Sequence, residues 1–173
     1  MILKAYEGKT PQLHPTARVA ENATIVGNVT LEEDVNVWYN AVIRAEADSI
    51  TIGAGTNVQD GVIIHCDEGM PAKIGKNVTI GHGAIVHSCT VGDNCMIGMG
   101  AILLSGCVIG DGAVVGGGAV VSGSTTVPAG TMAVGLPAKP GKPVSPDMRD
   151  YMARDVVEYI ETARKELPAV GEE

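Results

Sequence analysis

Three histidines in the middle of the chain carry the side chains best suited to bind a transition metal: His65, His82 and His87. Zinc binds imidazole nitrogens at roughly 2.0–2.1 Å, and a catalytic zinc site takes three protein ligands and leaves one position open. Single histidines in a sequence are more often polar surface residues. The prediction of a metal site therefore depends on whether the fold brings these three side chains together.

A six-residue repeat predicts that fold. Every sixth residue is Leu, Ile or Val, apart from register slips near residues 45–51 and 66–73 and the loss of one residue between Val86 and Val91. A period of six fits neither an amphipathic helix nor a flat strand. It is typical of short strands joined by corners, three to a coil, in coils stacked about 4.8 Å apart. The repeating residues are Leu13, Val19, Ile25, Leu31, Val37, Ile43, Ile52, Val58, Ile64, Ile74, Ile80, Val86, Val91, Ile97, Leu103, Ile109, Val115, Val121 and Val127.

The segment after the repeat has a different composition. Residues 134–143 are rich in Pro and Gly and predict a linker. Ser145 and Pro146 are typical of a helix N-cap and first turn, and apolar residues at helical spacing predict a helix to about Leu167. We therefore predict a β-helix domain over residues 1–140, and a linker and C-terminal α-helix, packed on one face, over residues 141–173.

The register of the repeat also predicts where the histidines lie. His65 and His87 each follow an aliphatic residue of the repeat, and those two aliphatic residues are three repeats apart, so the imidazoles should stack on neighbouring coils. Arg44 falls in the same column. His82 falls on the preceding face, above Asp60. Because outward positions on adjacent faces diverge, a neighbouring chain would have to supply His82, and a closed ring of three chains generates equal sites at every interface.

Composition excludes several other classes of function. The net charge is -8, and no basic tract or basic amphipathic face is present for nucleic acid or anionic lipid. No apolar run reaches the roughly 18 residues of a membrane span. The four cysteines form no CxxC pair, and the first residues lack the long apolar run of a signal peptide. We therefore expect a cytoplasmic protein with reduced thiols.

These residues resemble the γ-class carbonic anhydrase family. The resemblance is carried by residues 57–61 (NVQDG), 78–84 (VTIGHGA), 97–101 (IGMGA) and 134–139 (VGLPAK), and it extends over nearly the whole chain. It implies a homotrimer of left-handed β-helices with zinc, or Fe²⁺ or Co²⁺, at each interface. It also implies that His65 and His87 bind the metal from one subunit and His82 from the next.

The resemblance assigns further roles by position. It implies catalytic roles for three residues: Gln59 as a hydrogen-bond partner of the metal-bound hydroxide, Glu68 as a proton shuttle, and Tyr159 as a helix residue that reaches toward the site. It implies roles at the subunit interface, beside the ligands, for Arg44, Glu46 and Asp60. The family usually has Arg-Gly-Asp where this chain has Arg44-Ala45-Glu46.

The activity implied by the resemblance is reversible hydration of carbon dioxide to bicarbonate by a zinc-hydroxide mechanism. Zinc suits that chemistry because it lowers the pKa of bound water to roughly 7. Two other classes stay open. One is a hexapeptide-repeat acyltransferase or thioesterase, although the two interruptions of the repeat are short for holding a coenzyme A arm. The other is a catalytically weak, metal-binding trimeric scaffold.

Overall fold

The computed structural model describes residues 1–171 as a solenoid of short strands followed by one α-helix. The predicted parallel β-helix of hexapeptide repeats with a C-terminal helix is thereby confirmed. The strands are β1 (Ile2–Lys4), β2 (Gln12–Leu13), β3 (Arg18–Val19), β4 (Thr24–Leu31), β5 (Asn36–Val37), β6 (Val42–Ile52), β7 (Asn57–Val58), β8 (Ile63–His65), β9 (Ala72–Ile74), β10 (Thr79–Ile80), β11 (Ile85–His87), β12 (Thr90–Val91), β13 (Met96–Ile97), β14 (Ile102–Leu103), β15 (Val108–Ile109), β16 (Val114–Val115), β17 (Val120–Val121), β18 (Thr126–Val127), β19 (Thr131–Gly135) and β20 (Ala138–Pro143), and the helix is α1 (Pro146–Glu166).

Parallel pairing between coils aligns the repeating aliphatic residues in ladders through the interior. On one face Ile25, Ile43, Ile64, Val86 and Leu103 are partners in turn, and all five side chains are fully buried. Burying one such side chain contributes about 1.5–3 kcal/mol. No coil can bury its own ladder residue alone, so the stacking of coils holds the fold together.

The strands form three faces. The first face carries β8, β11, β14 and β17, and the second carries β9, β12, β15 and β18. These two faces share one sheet because the longer strands β4 and β6 continue around the corner between them. The third face is a separate sheet that includes β5, β7, β10, β13 and β16. The two insertions in the repeat and the loss of one residue between Val86 and Val91 all fall at the corners between the first and second faces.

The two interruptions differ in structure. Residues 45–51 belong to the continuous strand β6, which has a bulge relative to β4 between Gly27 and Val29. Residues 66–72 instead contain a tight turn in which the Met70 N–H donates to the Asp67 carbonyl at 3.1 Å. This turn folds the chain back beside the end of β8. Neither interruption forms an extended arm.

The Pro/Gly-rich segment is not the free linker that its composition predicts. Residues 138–143 form β20, which pairs antiparallel with β19 and caps the third face. Backbone pairing with an adjacent strand supplies the order that local propensity does not. The helix begins as predicted, because Ser145 accepts a hydrogen bond from the Met148 N–H at 3.2 Å and Pro146 occupies the first turn. Residues 172–173 of the predicted C-terminal segment lie outside the described residues.

The outward side chains of the three faces differ in what covers them. On the third face Met96, Val114 and Met132 pack beneath Val144 and Met152, and α1 also contacts β5, β7 and β10. The second face has polar outward residues such as Lys73, Thr90 and Thr126. The first face has an aliphatic outward column, here named the aliphatic column. Its members are Val42, Ile63, Ile85, Ile102 and Val120.

No helix formed by residues 1–171 is both long enough and apolar enough to span a bilayer. The four cysteines are free thiols, and all four are buried.

Candidate metal centre

Two imidazoles face each other at the edge of the first face. His65 ends β8 and His87 ends β11, and parallel pairing makes them direct partners on neighbouring coils, as the repeat register predicts. His65 Nδ1 and His87 Nε2 are 2.9 Å apart. Two nitrogens bound to one tetrahedral zinc lie about 3.3 Å apart, given bonds of roughly 2.0–2.1 Å. The pair would therefore need to open by only a few tenths of an ångström to hold the ion.

The outer nitrogen of each ring has a partner that sets where its hydrogen lies. His65 Nε2 is 3.0 Å from Glu46 Oε1, and a carboxylate can only accept, so this nitrogen is the donor. His87 Nδ1 is 2.9 Å from Ser105 Oγ. The Ser105 hydroxyl donates to Asp67 Oδ2 at 3.0 Å, so its oxygen is left to accept from His87. Both rings therefore carry hydrogen on the outer side.

This arrangement leaves two lone pairs directed at each other. When both imidazoles are neutral, His65 Nδ1 and His87 Nε2 each present a lone pair across the 2.9 Å gap. Burial, and then the positive charge of Arg44, lower the pKa of His65, against a smaller opposing effect of Asp67. The neutral form is the one that binds metal. Two facing lone pairs repel unless a cation lies between them, so the donor set fits a metal ion.

His82 belongs to a different group of residues. It follows β10 on the third face, and its Nδ1 lies 2.9 Å from Asp60 Oδ2. Its backbone N–H donates to the side-chain oxygen of Gln59 at 3.1 Å. The His82 side chain is 47% exposed, so its ring remains accessible from outside the chain.

The group around His82 borders a cleft of about 460 Å³ between the third face and α1. Tyr159 lies in this cleft and packs edge-on against Trp38, with ring centroids 5.5 Å apart. Burial, followed by the charges of Asp155 and Asp60, raises the pKa of Tyr159 to about 12. The phenol therefore stays protonated and can donate a hydrogen bond at neutral pH. The residues lining the cleft are Trp38, Asp60, Tyr151, Asp155, Glu158, Tyr159 and Thr162.

Comparison with known proteins agrees with the predicted fold and family. The family described as bacterial transferase hexapeptide (six repeats) matches residues 71–103 and 88–123. A carbonic anhydrase from Geobacillus kaustophilus is 40% identical over 160 residues, which cover 92% of this chain and 88% of that protein. The mitochondrial γ carbonic anhydrase 3 of Arabidopsis thaliana is 44% identical over 91 residues. The chain belongs to the γ-class carbonic anhydrase family.

Other relatives of this γ-class chain match over shorter stretches. A relative from Methanocaldococcus jannaschii is 50% identical over 76 residues, and the matched stretch is 48% of that protein and 44% of this chain. The stretch matched in the Arabidopsis protein is 35% of its length and 49% of this chain. The chain thus matches about half or less of the length of these two relatives.

Solved structures reproduce the fold of this γ-class chain. A hexapeptide transferase family protein from Anaplasma phagocytophilum superposes with a TM-score of 0.92 at 34% identity, covering 96% of this chain and 98% of its own. A candidate acetyltransferase from Bacillus cereus superposes with a TM-score of 0.93 at 35% identity, covering 95% of each chain.

The three histidines predicted to bind a metal fall into two separate groups in the structure. Within residues 1–171, the one group of three or more His, Cys, Asp or Glu side chains close enough to share an ion is His65, Asp67 and His87. We name this group, with its partners Glu46 and Ser105, the paired half-site. His82 lies outside it. We name His82, Asp60, Gln59 and Tyr159 the single half-site.

The interface residues predicted from the γ-class resemblance also fall into separate half-sites. Arg44 pairs with Glu46 within the chain, while Asp60 pairs with His82. The resemblance also implies an ion pair between Arg44 of one subunit and Asp60 of another, which stays a prediction. Glu46 stands where the family usually has the shorter Asp. Its Oε2 is buried without a hydrogen-bond partner among the described residues.

Sequence reasoning missed Asp67 and Ser105; it named the neighbouring Glu68, whose role as a proton shuttle stays a prediction. Glu68 is exposed at the tip of the turn between Asp67 and Met70. The turn directs Asp67 toward the imidazole of His87, with Asp67 Oδ2 3.6 Å from His87 Nδ1. Ser105 could have been found from the repeat. It lies 18 residues, or three repeats, after His87, and this spacing places the two residues on neighbouring coils.

Proposed function

We propose that the chain catalyses the reversible hydration of carbon dioxide to bicarbonate at a metal site shared between subunits of a homotrimer. The observation that carries this proposal is the facing pair of imidazole nitrogens of His65 and His87, 2.9 Å apart. The pair supplies two of the three ligands that a catalytic zinc site takes. The third ligand would be His82 of a neighbouring chain. The related proteins named as carbonic anhydrases support the reaction class.

The aliphatic column supports assembly into a trimer, because it offers an apolar surface on which a second subunit can pack. Its members lie beside the paired half-site on the first face, and Ile63 is 43% exposed although it is large and apolar. A subunit packed on this column would place its own residues beside His65 and His87. In a closed ring, each chain gives its paired half-site to one interface and its single half-site to the other, so every interface is complete.

The bound metal would supply a nucleophilic hydroxide near neutral pH by Lewis acidity, and zinc, Fe²⁺ or Co²⁺ each suits a histidine set. The chain's own residues have distinct tasks. Glu46 and Ser105 hold the two rings with their inner lone pairs free. Gln59 donates a hydrogen bond from its amide to an oxygen of the substrate. Glu68, exposed at the edge of the site, carries the released proton to solvent.

Stopped-flow carbon dioxide hydration tests the proposal. Protein purified without oxygen is stripped and reloaded with zinc, Fe²⁺ or Co²⁺, and the rate is compared with that of the stripped protein and of His87→Ala. We expect metal-dependent hydration that His87→Ala abolishes. Metal-loaded trimers with no hydration above the buffer rate would contradict the proposed reaction.

A second candidate function is acyl transfer, which the similarity to the candidate acetyltransferase from Bacillus cereus favours. The two interruptions of the repeat argue against it, because one lies within strand β6 and the other is the short turn from Asp67 to Met70. Neither provides an arm for a coenzyme A chain. Incubation with acetyl-coenzyme A and small amine or alcohol acceptors, with release of the free thiol as the readout, distinguishes the two reactions.

A further inference from the structure

A chain of side-chain hydrogen bonds connects α1 to the backbone of His82. Asp155 Oδ2 accepts from the Thr79 hydroxyl at 2.8 Å, and the Thr79 oxygen accepts from Asn57 Nδ2 at 3.0 Å. Asn57 Oδ1 accepts from Gln59 Nε2 at 3.1 Å. Gln59 Oε1 then accepts from the His82 N–H at 3.1 Å. The chain crosses from the helix, through β10 and β7, to the single half-site.

The two ends of this chain allow only one direction of donation. A carboxylate accepts only, so the single hydroxyl hydrogen of Thr79 goes to Asp155. The Thr79 oxygen can then only accept, so Asn57 turns its NH₂ toward it and its carbonyl toward Gln59. At the other end a backbone N–H donates only, and it requires the Gln59 carbonyl. Both ends therefore demand the same orientation of the two amides.

Burial makes any other orientation of the Asn57 and Gln59 amides unfavourable. Asn57 is fully buried, and Thr79 and Gln59 are each 5% exposed. A flipped or freed amide in this environment would leave a buried donor or acceptor without a partner, and water has little access to replace it. The network is fully connected from the helix to the backbone.

We propose that Thr79 and Asp155 are positioning residues that hold the Gln59 amide in one orientation. The inference rests on the proposed hydration of carbon dioxide, in which Gln59 donates to an oxygen of the substrate. In the fixed orientation one Nε2 hydrogen of Gln59 is donated to Asn57 Oδ1, and the other remains available for a second hydrogen bond. Helix α1 is then a functional part of the site, because it supplies the acceptor that terminates the network.

Kinetics on the zinc-loaded trimer test the role of each residue. Thr79→Val keeps the shape of the side chain but removes its hydroxyl, and it should lower kcat/KM about tenfold, the lower end for losing an outer partner of a catalytic group. Thr79→Ser should recover most of that loss. Asp155→Leu should act like Thr79→Val, and Asp155→Asn, whose carbonyl can still accept, should lose less. Thr90→Val, at the equivalent outward position of β12, is the matched control.

A double-mutant cycle separates positioning from a general structural effect. If Thr79 acts through Gln59, Thr79→Val should cause no further loss in a Gln59→Ala background. Equal losses in the two backgrounds would overturn the proposal. So would a Thr79→Ser variant no better than Thr79→Val.

A spectroscopic measurement decides the proposal even if the protein hydrates no carbon dioxide. In protein labelled with ¹⁵N-glutamine, the side-chain NH₂ signal of Gln59 is identified by its loss in Gln59→Ala. Thr79→Val and Asp155→Leu should shift this signal and speed its hydrogen exchange, while Thr90→Val should not. An unmoved signal in folded, trimeric Thr79→Val would overturn the positioning role. A moved signal without hydration in the wild-type protein would sustain the network and reject the proposed reaction.

Discussion

His65 Nδ1 and His87 Nε2 face each other 2.9 Å apart, while the outer nitrogen of each ring is tied to an oxygen. Two repeating strands, β8 and β11, create this relationship because they place the two residues in register. The outer partners then fix which nitrogen of each ring is unprotonated. A pair of neutral imidazoles in this arrangement is stabilised by a cation between them.

The hydroxyl of Ser105 should matter for metal affinity although it does not face the ion. Ser105→Ala removes the acceptor of the His87 Nδ1–H, so the ring is no longer held with Nε2 facing His65. We expect zinc affinity to fall by about 10- to 100-fold, measured by competition with a chelator. Ser122→Ala is the control, because the Ser122 hydroxyl pairs with Thr125 instead. Equal zinc affinity of Ser105→Ala and the wild-type protein would contradict this role.

A change at Glu68 should affect proton transfer but not metal binding. Glu68→Gln keeps the exposed turn but removes the base, so hydration in weak buffer should slow by about 10²-fold. A high concentration of imidazole buffer should restore the rate, because free base replaces the missing carboxylate. Zinc content should stay unchanged, and Glu7→Gln, a distant exposed residue, serves as the control. An equal rate in weak buffer would exclude Glu68 as the shuttle and leave Asp67 as the nearer carboxylate.

Substitutions at the neighbouring residues Ile63 and Ile64 should have different effects, one on assembly and the other on folding. Ile64 is fully buried in the interior ladder, while Ile63 belongs to the aliphatic column and is 43% exposed. Ile64→Ala should lower the free energy of unfolding by about 2–5 kcal/mol. Ile63→Asp should leave the fold intact by circular dichroism but shift sedimentation toward monomers. Thr126→Asp on the second face is the control, and a stable trimer in Ile63→Asp would contradict the assignment of the interface.

Thiol labelling tests the interior assignment of Cys95. Burial raises the pKa of Cys95 to about 11, so at pH 8 only about one thiol in 10³ is ionised. Labelling of native protein should be slow and should accelerate about tenfold per pH unit until the pH approaches 11. The raised pKa also contributes stability that is complete below about pH 9 and is lost as the pH rises through about 11. Rapid labelling of Cys95 at pH 8 in folded protein would contradict its burial.

The repeat explains why much of the fold and half of the site were predictable. A strict period of six determines which residues face inward, and the same register stacks His65 on His87 and separates them from His82. The start of α1 was equally predictable, since Ser145 caps the helix and Pro146 occupies its first turn, and both effects depend only on neighbouring residues.

The missed features depend on packing that no period encodes. Asp67 reaches His87 because a four-residue turn reverses the chain, and the turn's direction is set by backbone angles rather than by the repeat. Asp155 and Thr79 are 76 residues apart in sequence and meet only because α1 docks at one particular position. The strand β20 forms because β19 offers it a backbone partner, although its Pro and Gly residues predict a linker.

The central claim, a metal shared between subunits, is tested most directly by mixing two inactive variants. His82→Ala and His65→Ala should each lose most bound zinc, because each leaves only two nitrogen ligands. An interface that takes His65 and His87 from a His82→Ala chain and His82 from a His65→Ala chain is again complete. Around a closed ring of three, that order occurs once in every mixed trimer.

Bound zinc in co-refolded, mixed trimers is therefore the deciding measurement. We expect a single recovered zinc in each mixed trimer and none in trimers of either variant alone. A site formed within one chain predicts no recovery at any mixing ratio, because every chain carries its own defect. Zero recovered zinc in trimers shown by mass spectrometry to be mixed would contradict the shared site.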